Sequence, residues 1–173
     1  DMNVRICRYH NVYGPFGTWD GGREKAPAAL CRKIINAKLT RDHRIGVWGD
    51  GEQTRSFMYI DDCITGMDKI WESGYSKPIN LGSSEMVSIN QLIDMIEDIA
   101  GIKVEREYDL TKPQGVRGRN SDNTLIKEKV GWEPSVSLKD GLEKTYAWIY
   151  EQIKAGNQDV SLNYSQEGNS CAV

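Results

Sequence analysis

The segment that decides the fold reads SFMYI at 56–60, DDCITGMDKIW at 61–71, PINL at 78–81 and SINQLIDMIEDIAG at 88–101. The first and third runs are short and apolar, as expected for strands, whereas the second and fourth have the length and apolar spacing of helices. Asp61 is the predicted cap of the first helix. Strands and helices therefore alternate, which predicts an α/β fold.

The fourth run contains the clearest helix start in the chain. The Ser88 hydroxyl can accept a hydrogen bond from the amide of Gln91, and the Gln91 side chain can reach back to Ser88. Gly101 is the predicted stop of this helix. Helix boundaries in this region are therefore predicted from local chemistry alone.

The same alternation extends toward the N-terminus. Alternating side chains predict a strand at 4–9, and a loop rich in glycine and aromatic residues follows it. A helix is predicted from Arg23 to Ala37, with Pro27 tolerated in its first turn. A further strand is predicted at 44–48.

Toward the C-terminus the sequence predicts shorter elements and then a long helix. Ser137 and Asp140 have the spacing of a helix start. The composition of residues 157–173, rich in Asn, Gln, Ser and Gly, predicts a disordered tail. The elements between are a weak strand at 103–108, a polar loop at 109–122 and a short helix at 123–130.

Composition limits the classes of function. The 173 residues are 39% hydrophobic and carry a formal net charge of -3, which fits one globular domain. No apolar run has the roughly 18 to 20 residues of a membrane span, so no membrane is expected. Charges of both signs are interspersed, so no nucleic-acid surface is expected and any anion site must be local.

Cysteine and histidine usage excludes two further kinds of site. The four cysteines lie at 7, 31, 63 and 171 without a C-x-x-C pair, and there are two histidines. Neither a disulfide scaffold nor a zinc site is predicted, so no metal is expected and a cytoplasmic location is the default. The first residues already have a strand pattern, which suggests that the chain is a fragment.

Three loops place Arg, Lys, Asn or Gln beside glycine, a composition suited to phosphate groups. They lie at 11–25, 49–55 and 115–123. Taken singly, each loop is better explained as a surface turn with solvated charges; together they indicate an anionic, hydroxyl-rich ligand. The glycines at 49–51 precede a strand pattern rather than a helix, so they predict a tight turn and not a dinucleotide fingerprint.

Several strings resemble a known family. NVYGP at 11–15 after a strand, WGDG at 48–51 and RSF at 55–57 are similar to the C-terminal half of extended short-chain dehydrogenases that act on nucleotide sugars. GGREKAP at 21–27, QTRSF at 53–57 and GVRGRNSDN at 115–123 closely resemble the GDP-mannose 3,5-epimerases of plants and algae. The match spans about residues 4 to 150.

The resemblance implies a fold and a cofactor. It predicts the C-terminal part of an extended Rossmann-type fold, in which 4–9 and 57–71 belong to the Rossmann sheet and the rest of 1–156 forms the substrate-binding region. NAD would be bound mainly by an N-terminal half that this chain lacks, together with the catalytic Tyr, Lys and Cys. The chain alone is therefore expected to be inactive, and the full-length enzyme to be a homodimer.

The resemblance also implies the chemistry. NAD withdraws hydride from C4 of GDP-mannose, and the acidified protons at C3 and C5 are then inverted on the way to GDP-L-galactose and ascorbate. One of the two proton carriers corresponds to Lys25. The residues implied in contacts with the GDP-sugar are Asn11, Glu24, Lys25, Ala26, Lys33, Gln53, Thr54, Arg55 and Arg119.

Arg119 is the best candidate for the diphosphate, and Arg117 is a near competitor. Two alternatives stay open. The chain could derive from another nucleotide-sugar epimerase, dehydratase or decarboxylase, or it could be a non-catalytic module for sugar-nucleotide binding or subunit contact.

Overall fold

The computed structural model describes residues 2–112 and 115–167, with side chains up to residue 156. The elements follow one another in the order β1 (Cys7–Tyr9), β2 (Val12–Tyr13), α1 (Ala26–Thr40), β3 (Arg44–Trp48), β4 (Thr54–Ser56), β5 (Met58–Tyr59), α2 (Ile60–Glu72), β6 (Ile79–Leu81), β7 (Met86–Ser88), α3 (Ile89–Ala100), β8 (Glu105–Asp109), β9 (Gly118–Arg119), α4 (Thr124–Val130) and α5 (Leu138–Glu167). The predicted α/β class is confirmed.

Parallel pairs form the part of the fold that the sequence assigned to a Rossmann sheet. Strand β1 pairs with β6 through Cys7 and Ile79, and β2 pairs with β5 through Val12 and Met58. The strand predicted at 4–9 is shorter than expected and covers only Cys7–Tyr9. Beyond this strand, the Ile6 carbonyl still accepts a hydrogen bond of 3.0 Å from the amide of Ile79 in β6.

The strand predicted at 56–60 is divided. Phe57 separates β4 from β5, and the two strands belong to different sheets. Strand β4 pairs antiparallel with β7 and parallel with β9, whereas β5 pairs with β2. The chain therefore crosses from one sheet to the other at Phe57, whose side chain is buried.

The larger core lies where α1, α3 and α5 pack together. Each helix contributes fully buried apolar side chains, such as Ile34, Leu92 and Leu142. Each such burial contributes about 1.5 to 3 kcal/mol relative to an exposed side chain. A smaller core surrounds Ile79 and Leu81 beneath α2 and α4.

Two of the three predicted helix caps are observed, and the third is not. Ser88 and Gln91 form the predicted capping box, and Ser137 bonds with Asp140 at the start of α5. The prediction that Asp61 caps α2 is wrong, because the cap is Tyr59 and Asp61 lies exposed in the first turn. Its neighbour Asp62 is buried instead, since it accepts hydrogen bonds from the backbone amides at 135 and 136.

Three more features differ from expectation. Helix α1 begins at Ala26 rather than Arg23, and strands β7 and β9 were not predicted. Helix α5 continues to Glu167, residues 168–173 lie outside the described part of the chain, and the disordered tail expected at 157–173 stays a prediction. In the described residues, no helix combines the length and apolar character required to cross a membrane.

Candidate functional site

A cavity of about 560 Å³ opens between the first turns of α1 and strand β3. The preceding loop turns sharply into the helix at Gly21 and Gly22, whose φ angles of 91° and 82° lie in the left-handed region that favours glycine. Four of the predicted substrate residues line the cavity: Glu24, Ala26, Lys33 and Gln53. Residues from separate loops are thus brought to one opening.

Lys25 lies at the N-cap of α1, between two residues that line the cavity. Its side chain is exposed and makes no capping hydrogen bond. Its backbone carbonyl accepts from the amide of Ala29 and closes the first helical turn. Lys25 itself is not among the residues that line the cavity, although its neighbours Glu24 and Ala26 are.

Glu24 is held by a buried ion pair. The Glu24 side chain is 7% exposed, and its Oε1 lies 2.7 Å from Nη2 of Arg32. A hydrogen bond from its own backbone amide and then the Arg32 guanidinium hold the pKa of Glu24 below its usual value, against the effect of burial. The exposed Asp20 carboxylate lies farther from Arg32, at 3.4 Å.

Lys33 links α1 to the strand on the far side of the cavity. Its Nζ donates a hydrogen bond of 2.6 Å to the carbonyl of Gly46 in β3. Burial lowers the pKa of Lys33, and the neighbouring Arg32 lowers it further. Since one of its three donors is used, the ammonium retains donors that could reach a ligand in the cavity.

Gln53 and Trp48 form the wall opposite α1. The buried Gln53 side chain donates from Nε2 to the Trp48 carbonyl at 3.0 Å. Its Oε1 is buried without a hydrogen-bond partner among the described residues. The Trp48 ring is exposed, with the Lys112 ammonium 5.9 Å from its centroid. This wall therefore combines an amide oxygen with an aromatic face.

The arginines predicted to contact the diphosphate lie on two paired strands. Arg55 on β4 and Arg119 on β9 are direct neighbours in the parallel register. The Arg55 Nη1 donates to the Thr54 carbonyl, and the Arg119 side chain is exposed. The competing Arg117 is occupied by Asp50, with Nη1 and Oδ2 at 2.8 Å. The geometry therefore favours Arg119 over Arg117 as the anion contact.

Thr54 and Asn11 form hydrogen bonds that connect β4 to the segments around Arg55 and Arg119. The Thr54 amide donates to the Arg117 carbonyl at 2.9 Å, which joins β4 to the loop before β9. Asn11 has a φ of 41°, and its Nδ2 donates to the carbonyl of Ser56. Asn11, Thr54, Arg55 and Arg119 thus share a region around β4, beside the cavity that begins at Gln53.

Sequence reasoning missed two residues of this site. Arg32 was not predicted because its partner Glu24 precedes the helix and no short motif links them. Trp48 occupies the outward position of β3, where Ile45 and Val47 are buried. The alternation of buried and exposed side chains could have identified Trp48 from the sequence. An aromatic side chain on the outward face of a strand is not used in the core, so it is available to contact a ligand.

The described residues do not form a cradle for a dinucleotide. Gly49 and Gly51 have positive φ angles and make the predicted tight turn, with Gly51 packed against the Asn90 side chain. The chain then enters β4 instead of a helix, so the glycines lack the strand-turn-helix arrangement of a dinucleotide fingerprint. The amide of Asn90, in the first turn of α3, instead donates to the Gly51 carbonyl at 3.0 Å. Over 2–112 and 115–167, no group of three or more His, Cys, Asp or Glu side chains is placed to hold a metal ion.

The Glu24 ion pair predicts a pH dependence of stability. A depressed carboxyl pKa contributes to the free energy of unfolding above the unfolded pKa of about 4.3, and this contribution is lost as pH falls through the folded pKa. Glu24→Gln is expected to lower the free energy of unfolding by about 1.5 to 3 kcal/mol at pH 7 and to flatten its decline below pH 4.3. Urea unfolding between pH 7 and pH 3 measures both effects.

The matched control is Asp20→Asn, which removes the exposed partner of the same guanidinium. Its effect is expected to stay within about 0.5 kcal/mol. Equal losses of unfolding free energy for the two variants would contradict the assignment of Glu24 as the stabilising partner of Arg32.

Comparisons with known proteins show which enzymes this chain resembles in sequence. Residues 1–82 match the NAD dependent epimerase/dehydratase family. The chain is 54% identical over 164 residues to GDP-mannose 3,5-epimerase from Arabidopsis thaliana, which covers 93% of the chain and 42% of the relative. It is 33% identical over 147 residues to putative GDP-L-fucose synthase 2 from the same plant, which covers 83% of the chain and 44% of that relative.

A solved structure supports the same grouping. UDP-glucose 4-epimerase from Thermotoga maritima, crystallised with UDP-glucose, has a TM-score of 0.77 and 31% identity, over 86% of this chain and 46% of that one. The chain thus spans less than half the length of each of these relatives. The resemblance drawn from the sequence motifs is confirmed. The family match over residues 1–82, the 54% identity and the shared fold show that the chain corresponds to part of the Rossmann-like fold of the NAD dependent epimerase/dehydratase enzymes.

Proposed function

We propose that the chain supplies the substrate-binding part of an NAD-dependent GDP-mannose 3,5-epimerase. The reaction is the conversion of GDP-mannose to GDP-L-galactose through a transient C4 ketone, on the cytoplasmic route to L-galactose and ascorbate. The observation that carries the proposal is the convergence of Glu24, Ala26, Lys33 and Gln53 on one cavity beside Arg119. The 54% identity to the Arabidopsis enzyme supports it.

The diphosphate is assigned to the strand pair β4 and β9. Arg55 and Arg119 are register neighbours, and like charges on adjacent strands repel each other. A bound diphosphate would relieve this repulsion and accept charge-assisted hydrogen bonds from the guanidinium groups. Burial and the Arg119 guanidinium also lower the pKa of His10, which places Arg119 near the end of β1.

The nucleoside portion is assigned to the cavity itself. Trp48 offers an aromatic face, while Gln53 Oε1 and the Lys33 ammonium supply an acceptor and donors. Few polar groups on an otherwise apolar wall are typical of a small-molecule site.

Lys25 is proposed to carry a proton to or from C3 or C5 of the sugar. Lys25 lies between two residues that line the cavity, and its exposed ammonium can exchange protons with solvent, which a proton carrier requires. Glu24 and Ala26 on either side keep the N-cap next to the bound sugar.

NAD is not assigned to any described residue, because the glycine turn at 49–51 does not fit a dinucleotide. We assign NAD binding and the homodimer contact to an N-terminal half like the part of the relatives that lies outside the alignment. No step of the redox chemistry is therefore attributed to this chain.

Two other functions were weighed. Another nucleotide-sugar epimerase, dehydratase or decarboxylase would not be expected to keep the run GREK at 22–25, because acid-base work at C3 and C5 needs an extra proton carrier there. A non-catalytic sugar-nucleotide module would bind GDP-mannose without exchanging its protons. Deuterium exchange therefore separates these functions.

Titration of GDP-mannose into the purified chain tests the binding site directly. Arg119→Ala is expected to weaken binding roughly 10- to 150-fold, because losing a charge-assisted contact costs about 1.5 to 3 kcal/mol. Arg117→Ala is the control, since Arg117 is already paired with Asp50 and should change affinity less than about threefold. Equal losses would refute the assignment of Arg119, and tighter binding of UDP-glucose than of GDP-mannose would refute the substrate.

A further inference from the structure

The N-terminal end of α3 is bonded to the turn that connects β3 to β4. The backbone amide of Asn90 donates to the Gly51 carbonyl at 3.0 Å, and the amide of Ile89 donates to the Gln53 carbonyl at 3.2 Å. The φ of Gly51 is 75°, and a Cβ at this position would overlap the Asn90 side chain. The turn therefore lies directly against Asn90, with no space for a side chain between them.

The Asn90 side chain uses both ends of its amide. Nδ2 donates to Oε1 of Glu52 at 2.6 Å and to the Asp50 carbonyl at 3.4 Å. On the other side, Oδ1 accepts from the Tyr108 hydroxyl at 2.9 Å, and the Asn90 carbonyl accepts from Nη1 of Arg106 at 3.3 Å. A carboxylate of the same shape has no donor for Glu52, so the position requires an amide.

The turn connects the two residues that form the wall of the cavity opposite α1. Gln53 Nε2 donates to the Trp48 carbonyl, while the buried Gln53 Oε1 has no hydrogen-bond partner among the described residues. The direction of this oxygen depends on the backbone at 53, which the bond from Ile89 and the turn hold in place. Among the described residues Ile89 lines the cavity and Asn90 does not, so Asn90 would act on a ligand through the turn.

We infer that Asn90 is a positioning residue for this wall: by holding the turn, it fixes where Gln53 Oε1 and the Trp48 ring meet a nucleoside diphosphate. This inference rests on the proposed function, which supplies the class of ligand. A displaced acceptor leaves a donor of the bound ligand unpaired, and affinity falls. The diphosphate contacts depend instead on the pairing of β4 with β9.

Titration of the purified chain with GDP-mannose and with inorganic pyrophosphate tests the inference. Asn90→Ala should weaken GDP-mannose binding roughly tenfold and change pyrophosphate affinity less than about threefold, because the nucleoside wall alone loses its support. A variant that merely destabilised the fold would weaken the binding of both ligands alike. Asn36→Ala is the matched control, since Asn36 is exposed on α1 and does not line the cavity, and should change either affinity less than about threefold.

An exchange of partners between positions 52 and 90 tests the hydrogen bond itself. Asn90→Asp alone places a carboxylate against Glu52, so it should also weaken GDP-mannose binding. Adding Glu52→Gln restores one donor and one acceptor with their roles reversed, and the double variant should return to within about threefold of the original affinity. A loss of affinity that Glu52→Gln leaves uncorrected would overturn the inference.

Hydrogen exchange of the ligand-free chain gives a readout that does not depend on GDP-mannose. The Gly49 amide donates to the Asp109 carbonyl at 2.9 Å, and the Glu52 amide donates to Oδ1 of Asp50 at 2.9 Å. In Asn90→Ala these two amides should exchange roughly tenfold faster or more, while the amides of α1 should change less than about threefold. Equal acceleration throughout the chain, or none at the turn, would overturn the inference.

The exchange and titration results separate this inference from the proposed function. If Asn90→Ala loosens the turn, the double variant restores it, and the unsubstituted chain does not bind GDP-mannose, the proposed function alone fails. If GDP-mannose binds and Asn90→Ala changes neither its affinity nor the hydrogen exchange at the turn, the inference alone fails.

Discussion

Replacing Lys25 with methionine is expected to lower solvent-deuterium incorporation at C3 or C5 of GDP-mannose by roughly 10²- to 10⁴-fold, the usual contribution of a positioned proton carrier. The variant is made in a chimera in which this chain replaces the aligned segment of the Arabidopsis relative. Methionine keeps the length of the side chain and removes its exchangeable proton. Because the Lys25 side chain is exposed and makes no capping hydrogen bond to α1, GDP-mannose affinity should change by less than about threefold.

The matched control is Lys33→Met. Lys33 lies within the cavity wall and bonds to the Gly46 carbonyl, so its loss should weaken binding and leave exchange per bound substrate nearly unchanged. Mass spectrometry of the recovered sugar nucleotide measures exchange, and calorimetry measures affinity. Should Lys25→Met weaken binding as much as Arg119→Ala while exchange per bound substrate is unchanged, Lys25 would be an anion-binding residue and not a proton carrier.

The second large effect is the complete absence of turnover by the chain alone. With GDP-mannose and NAD, the purified chain is expected to form no GDP-L-galactose or GDP-L-gulose above a heat-treated sample. The reason is that the described residues offer no dinucleotide cradle, and the C3 and C5 protons become acidic only next to an oxidised C4. Chromatography of the sugar nucleotides checks this result.

The control adds GDP-4-keto-mannose, in which the oxidised carbon is already present. Lys25 should then support slow deuterium exchange at one carbon even without NAD, and Lys25→Met should abolish it. Epimer formation from GDP-mannose by the chain alone would contradict the assignment of cofactor binding to another part of the protein.

Features set by near neighbours in the chain were predicted well. The capping box of Ser88 and Gln91 and the glycine stop at 101 both depend on residues within one or two turns. The tight turn at 49–51 belongs to the same class, since positive φ angles at glycine require no distant contact.

Features that depend on distant partners were predicted poorly. Asp61 and Asp62 look alike in sequence, and only contact with residues 135–136 buries the second and leaves the first exposed. The division of 56–60 at Phe57 follows from pairing with two different sheets, and β9 exists because β4 lies beside it.

The sequence by itself determined the α/β alternation, most helix positions and the resemblance to nucleotide-sugar epimerases. Periodic patterns, caps and long motifs all consist of residues that are close together in the chain. Only the tertiary structure decided that Glu24, Lys33 and Gln53 share one cavity, that Arg32 holds Glu24, and that Arg119 rather than Arg117 is available to an anion. The physical reason is the range of the interactions. A cap joins residues three apart, whereas the bond between Thr54 and Arg117 spans 63 positions and forms only when the sheet is assembled.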